Sequence, residues 1–323
     1  MINRAEITAR VEKIYEGLRL ENLQTKERRT AEVSAALPGY TKIEKSISEA
    51  GIRLVSLASK GRKGTEEYKD AENELMRLGT EREELLKKGG FPADYLDGCC
   101  TCAKCGDTGR TVDDNGVPVY CDCYRKNCVD VILEESGIPV KKGFEAFDIG
   151  IFATSDRPAA ERLLADAKEF VSDFANGRNR LFYGKAGVGK TFLASITATE
   201  LIRTGVFAVY ATVPMLMQTL LYYGDDERLQ ERRDNVFEIV QNADLLVLDE
   251  LGTERMTPAR QDMLEVIIDG IVADPKRKCI VISNLDMKEM MSAYGERMFS
   301  RLASMKLVRF ELPATGDLRM KVR

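Results

Sequence analysis

Residues 184–191 read G-K-A-G-V-G-K-T, and these eight residues decide the fold. The pattern G-x-x-x-x-G-K-[S/T] builds a loop in which Gly184, Gly187 and Gly189 let backbone N–H groups turn inward around a phosphate chain, with Lys185, Ala186 and Val188 between them. Lys190 then reaches the β- and γ-phosphates of ATP, and the Thr191 hydroxyl ligates Mg²⁺. The flanking residues agree. Leu181-Phe182-Tyr183 is a short apolar run fit for a buried strand, and Phe192-Leu193-Ala194 begins a helix whose N-terminus faces the anion. From about residue 156 onward strand and helix patterns alternate, which predicts an α/β domain with a parallel sheet flanked by helices.

Downstream, residues 244–250 read D-L-L-V-L-D-E, an apolar strand ending in two carboxylates. Asp249, at the strand's carboxyl end, is placed to hold Mg²⁺ together with Thr191. Glu250 projects into the site and can polarise the attacking water. Residues 279–284, C-I-V-I-S-N, form the next buried strand and end in the amide of Asn284. Arg297 and Arg301 follow, four apart and therefore on one helix face. Each feature alone has an ordinary explanation: a chance strand end, a turn, an exposed basic stripe. Their order behind the phosphate loop gives them weight.

The 323 residues suffice for a large core plus smaller pieces, and 44% hydrophobic content is globular. The net charge of −4 does not advertise a nucleic-acid binder, yet residues 297–323 carry seven basic residues (Arg297, Arg301, Lys306, Arg309, Arg319, Lys321, Arg323) against Glu311 and Asp317. Such a stretch suits polyphosphate or nucleic acid, or a solvated tail. The start, Met1-Ile2-Asn3-Arg4-Ala5-Glu6, lacks the apolar segment of a signal peptide, and no apolar run approaches membrane-spanning length. A cytoplasmic protein without membrane contact is expected. The chain has no His, so any metal site must be built from Cys, Asp or Glu.

Seven of the eight cysteines lie within residues 95–128. Cys102-x₂-Cys105, a fifteen-residue interval and Cys121-x-Cys123 come close to zinc-ribbon spacing, with four thiolates around one structural Zn²⁺. The C-x-C second pair departs from the usual C-x₂-C. Cys99-x₂-Cys102 is a competing frame, Cys100 lies beside it, and Cys128 is another candidate ligand. An iron–sulfur cluster would also accept four thiolates, whereas disulfides are rare in a reducing cytosol. Gly106-Asp107-Thr108-Gly109 and Asn115-Gly116 read as turns. Four segments are expected: a helical arm (1–94), the cysteine module (95–128), a connector (129–155) and the ATPase domain (156–323). In the arm, Ile7, Val11, Ile14 and Leu18, then Ile43, Ile47, Leu54 and Leu57, then Tyr68, Ala71, Leu75, Leu78 and Leu85 form narrow apolar stripes. Pro38-Gly39, Gly61 to Gly64 and Gly89-Gly90 separate helices. These stripes suit a self-contained helical bundle or an arm that docks on another protein.

The full set of motifs resembles the bacterial replicative helicase loaders of the DnaC/DnaI type, within the AAA+ ATPases. The resemblance runs through F-E-A-F-D at 144–148, G-K-A-G-V-G-K-T, L-L-V-L-D-E-L-G-T-E at 245–254, S-N-L at 283–285, G-E-R-M-F-S-R-L at 295–302 and G-D-L-R at 316–319. C-A-K-C-G-D-T-G before C-D-C is similar to the cysteine module of loaders from Gram-positive bacteria and their phages. The resemblance implies that the strand ending in Asn284 lies between the two Walker strands and that Asn284 acts as sensor 1. Arg301 would be the arginine finger reaching a neighbouring subunit's ATP, with Arg297 in reserve. Arg319 would be sensor 2, and Phe144 and Phe147 the nucleotide-binding connector. It further implies an arm that grips the replicative DNA helicase, and an ATPase part that self-associates and binds ATP and single-stranded DNA while the helicase is loaded. Two alternatives stand beside it. One is an IstB-like transposition-helper ATPase, whose N-terminus would lack the cysteine module. The other is a non-catalytic zinc-bearing adaptor, against which intact Lys190, Asp249, Glu250 and Arg301 argue.

Overall fold

The computed structural model describes residues 3–97, 99–114, 116–222 and 224–320. Met1 and Ile2, Asn115 of the expected second turn, and Lys321 and Arg323 of the basic stretch lie outside the described residues. The chain divides into two compact units, Glu12–Tyr124 and Met1–Val11 with Arg125–Arg323. The segments expected at 1–94 and 95–128 therefore fall mostly within one unit, while the first turns of the arm belong to the other.

The Glu12–Tyr124 unit holds most of α1 (Arg4–Ala36), then α2 (Tyr40–Ser59) and α3 (Glu66–Lys88). The helix breaks fall at the expected glycine-bearing turns, and Thr65 caps α3 by accepting from the Tyr68 N–H. Val33, Tyr40, Leu86 and Leu96 form a small core, with Leu37, Leu85, Phe91 and Tyr95 packed on it. Two stripe positions are corrected here. Tyr15, not Ile14, is buried on α1, and Leu86 rather than Leu85 is the fully buried residue at the end of α3. Each shift moves the buried face by one residue, about 100° around the helix. The hairpin β1 (Arg110–Val112) and β2 (Pro118–Tyr120) pairs antiparallel, and α4 (Asp122–Glu135) starts directly after it.

In the other unit, α5 (Arg157–Ser172), β3 (Arg180–Tyr183), α6 (Lys190–Arg203), β4 (Ala208–Thr212), α7 (Val213–Leu220), α8 (Glu227–Asn242), β5 (Leu245–Leu251), α9 (Pro258–Val272), β6 (Lys278–Ser283), α10 (Met287–Ala303) and β7 (Lys306–Arg309) follow in turn. The strands form one sheet among the described residues, ordered β4-β5-β6-β3-β7 and parallel throughout. β6 lies between β3 and β5, the arrangement the resemblance implied for the two Walker strands and the sensor strand. A parallel sheet covered on both faces needs strands apolar on both sides, and Leu245–Leu248 and Cys279–Ile282 are buried without interruption. At the sheet edge the Tyr210 N–H donates to the Ser136 carbonyl at 2.8 Å, so the connector covers the outer side of β4. Among the described residues no helix is long and apolar enough to cross a membrane.

Candidate nucleotide site and cysteine centre

The carboxyl ends of β3, β5 and β6 bring the predicted residues together. Lys190 opens α6, is buried, and donates from Nζ to the carbonyls of Gly184 (2.7 Å) and Lys185 (2.6 Å) and to Asn284 Oδ1 (2.8 Å). Burial pulls its pKa down to about 8, Arg319 adds to the pull, and Asp249 opposes it. Thr191 donates to Asp249 Oδ2 at 2.7 Å. The 184–191 loop, the Asp249 carboxylate and the Asn284 amide thus form one hydrogen-bonded group, assembled from residues far apart in sequence.

Gly187 has φ 78, and a Cβ there would collide with the Asp317 carboxylate. The Leu318 N–H donates to the Gly187 carbonyl at 2.8 Å, so the G-D-L-R segment lies on the phosphate loop. Arg319 pairs with Asp317 at 2.6 Å and remains exposed. Gly189 precedes α6 with φ 94 and no side-chain cap, which leaves the first N–H groups of the helix for an anion. Phe192, on the first turn, lies 6.3 Å from Phe147, which stacks on Phe152 at 5.5 Å. Phe144 N donates to Glu200 on α6 at 3.0 Å. The connector is thereby fastened beside the loop.

Asp249 is buried and accepts three hydrogen bonds: from Thr191, from the Tyr210 hydroxyl at 2.7 Å, and from the Glu250 N–H at 2.7 Å. Glu250 occupies φ 61, a left-handed conformation that costs a non-glycine residue about 1–2 kcal/mol. Its side chain is exposed on an otherwise buried strand, free to meet a water. The buried Asp249 carboxylate beside the Thr191 hydroxyl, facing Lys190, fits the oxygen donors and anionic surroundings that Mg²⁺ and a triphosphate require. The finger candidates are turned elsewhere. Arg301 forms a two-point pair with Asp269 on α9, and Arg297 reaches Glu265 at 3.2 Å. Arg297 is 72% exposed and Arg301 only 23%, so the reserve residue is the more accessible one.

In the other unit, the sulfurs of Cys102, Cys105, Cys121 and Cys123 all lie within 4.8 Å of one another, with Cys102–Cys121 at 3.9 Å and Cys105–Cys123 at 3.5 Å. Four thiolates about 2.3 Å from a tetrahedral zinc would stand about 3.8 Å apart, so the set fits the metal. The competing frame is not favoured, because Cys99 Sγ contacts Arg29 and the Leu96 carbonyl instead. Burial works against the Cys105 thiolate, yet the Gly109 backbone and the neighbouring thiols bring its pKa down to about 7. Tyr15 donates to Cys123 Sγ at 3.0 Å. Asp107, buried at φ 56, accepts from Asn22 Nδ2 (2.7 Å), Thr101 N (2.7 Å) and Cys102 N (2.8 Å). It ties the first cysteine knuckle to α1.

The family profile described as IstB-like ATP binding protein matches residues 125–309. The chain belongs to the IstB-like ATP-binding family. Two relatives from Escherichia coli K12 stand out. One is the uncharacterized protein YdaV, 31% identical over 54% of this chain and 68% of YdaV. The other is the replicative helicase loader DnaC, 29% identical over 43% of this chain and 56% of DnaC. The chain thus spans about half the length of that loader. A crystal structure of the DnaC helicase loader is 25% identical over 47% of this chain and 90% of that one, with a TM-score of 0.41. The family match begins after the cysteine centre.

Several contacts in this IstB-like family member escape sequence reading. Tyr210 is one tyrosine in an ordinary strand, A-V-Y-A-T, and nothing around it signals a partner. Glu265 and Asp269 stand four apart on α9, matching the spacing of Arg297 and Arg301 on α10, and that shared period was the available signal. Asp107 sat in a recognised turn, but only the fold shows what it holds.

Proposed function

We propose that the chain is an ATP-hydrolysing loader that binds the replicative DNA helicase and deposits it on single-stranded DNA during initiation or restart of replication. The observation that carries the ATPase half is the convergence of Lys190, Thr191, Asp249 and Asn284 at the ends of three adjacent strands. Lys190 binds the β- and γ-phosphates, Thr191 and Asp249 hold the metal, Asn284 orients the attacking water, and Glu250 accepts its proton. Bound Mg²⁺ would supply positive charge against the charge that develops on the phosphates. Arg301, with Arg297 beside it, completes the site of a neighbouring subunit, so turnover requires self-association. Zinc, held by Cys102, Cys105, Cys121 and Cys123, orders its module and performs no chemistry.

Support for the loader half comes from relatives named as replicative helicase loaders and from the helices before the ATPase unit. Leu20, Leu23, Ile52, Val55 and Met76 remain exposed on α1 to α3, apolar positions left for a partner helix. This arm is the helicase-docking part. The compartment is the cytoplasm, where replication ATPases meet DNA. Glu250→Gln should retain ATP binding and lose turnover, since the amide keeps the shape but cannot take a proton; equal ATPase rates for wild type and variant would sink the assignment. The full chain should capture purified replicative helicase, and its ATPase rate should rise with single-stranded DNA. A second reading follows from the family description: a transposition-helper ATPase would capture a transposase in the same assay and leave the helicase behind.

A further inference from the structure

The arginine-bearing helix is connected to the catalytic loop by a hydrogen bond that no motif contains. α10 is broken at Gly295, which has φ 72 and ψ 175 and separates residues 287–294 from the half that carries Arg297 and Arg301. Tyr294, the last residue before the break, is fully buried. Its hydroxyl donates to Glu254 Oε1, and its carbonyl accepts from Gln261 on α9 at 3.1 Å. Glu254 lies four residues after Glu250 in a tight loop. Its other oxygen accepts the Gly252 N–H at 2.9 Å, and the Glu250 carbonyl accepts from Thr253 N (3.1 Å) and Thr253 Oγ1 (2.9 Å). The loop is also fixed to the sensor strand: Ser283 Oγ donates to the Leu251 carbonyl at 2.7 Å, and Leu285 packs where a Gly252 Cβ would stand. The half of α10 beyond the break is held to α9 by the Arg297–Glu265 and Arg301–Asp269 pairs. Glu250, Asn284 and the two arginines are therefore joined through one short relay, of which the Glu254–Tyr294 hydrogen bond is the narrowest link.

We propose that Glu254 and Tyr294 are positioning residues that couple a subunit's own nucleotide loop to the arginines it presents to its neighbour. The inference rests on the ATPase reading above and adds its regulation. A ligand biases an element only through contacts that differ between two arrangements. The helix break supplies the bistable element, and the strained Glu250 loop supplies the contact that changes when a phosphate meets Lys190 and Asn284. With ATP bound, the loop shifts Glu254, Tyr294 follows it, and the arginine half of α10 turns away from α9 toward the next subunit. Without the hydroxyl of Tyr294, the nucleotide site still fills but the arginine face does not respond.

The test uses the full chain. In the wild type, ATP should change amide hydrogen exchange at residues 296–303 as well as at 184–191. In Tyr294→Phe, which keeps the ring, the change at 184–191 should persist and that at 296–303 should vanish. Glu254→Ala, which removes the acceptor, should behave alike and carries the test if Tyr294→Phe does not fold. A mixing assay separates this inference from the reading beneath it. Glu250→Gln subunits bind ATP and so present their arginines but cannot turn it over, and Arg301→Ala subunits bind ATP without offering the finger, so their mixture should recover activity. Adding Tyr294→Phe to the Glu250→Gln subunit should cut that recovery at least tenfold. No recovery from the parent mixture would overturn the shared-site reading, and the exchange measurement would still decide the coupling. Undiminished recovery with Tyr294→Phe, or exchange at 296–303 that responds to ATP equally in both proteins or in neither, would overturn the coupling.

Discussion

The two units solve opposite problems. The nucleotide unit is built on long apolar strands whose residues are buried on both faces, and its polar site stands at their ends. Burial of so much apolar surface stabilises the fold independently of the site. Strain at Glu250 and an interior lysine can therefore be tolerated. The Glu12–Tyr124 unit has a small core cluster of Val33, Tyr40, Leu86 and Leu96 with a few neighbours, and its hairpin strands have three residues each. There the zinc proposed for the four cysteines would hold the fold. The difference teaches that removing a ligand should leave one unit standing and undo part of the other.

The largest expected effect tests that contrast directly. Chelation of the full chain should unfold the segment around Cys102–Cys123, because structural zinc contributes on the order of 10 kcal/mol to such modules. ATP binding, measured after Mg²⁺ is restored, should be unchanged. Metal analysis showing iron with sulfide, or no metal in protein purified without chelator, would break the comparison at its root. Next in size, Lys190→Ala should weaken ATP binding at least a hundredfold, about 3 kcal/mol, since the phosphates lose a charged donor. Its zinc content should stay that of wild type, checked by nucleotide titration beside metal analysis. Asp107→Ala should cost about 2–3 kcal/mol, because the N–H groups of Thr101 and Cys102 lose a buried acceptor. A competing chelator should then strip its metal sooner, while nucleotide affinity holds. Smallest, Tyr15→Phe removes one donor to Cys123 and should cost about 1 kcal/mol, read as a modest fall in zinc affinity. A larger loss for Tyr15→Phe than for Asp107→Ala would reverse the order of support proposed for the centre.

Legibility followed the same divide. Loop, strand-end acids and sensor amide were readable because phosphate chemistry dictates residue types at fixed short spacings, and their convergence followed from strand order. The four sulfurs were readable for the same reason, and the fold separated them from Cys99. What remained hidden were contacts between residues whose types are common and whose separation is long. Tyr210 meets Asp249 across 39 positions, Tyr294 meets Glu254 across 40, and Arg301 meets Asp269 across 32. No local pattern encodes such pairs; they exist because neighbouring strands and helices deliver both partners to one place. The helical stripes missed by one residue where Tyr15 and Leu86 took the buried face, since a narrow stripe on a charged helix fixes its rotation only when its packing partner is known.

The parallel partners of β3 carry a consequence for how this protein comes into being. Arg180 pairs with Ile280 on one side and Lys306 on the other, and the loop that follows is closed by Leu318. During synthesis, the strand that leads into the phosphate loop must wait on about a hundred further residues for its first neighbour and longer for its second. Long-range parallel pairing of this kind is slow and exposes unpaired edges meanwhile. A ribosome-bound chain halted before β6 would thus carry every residue of the G-K-A-G-V-G-K-T loop and still be blind to ATP.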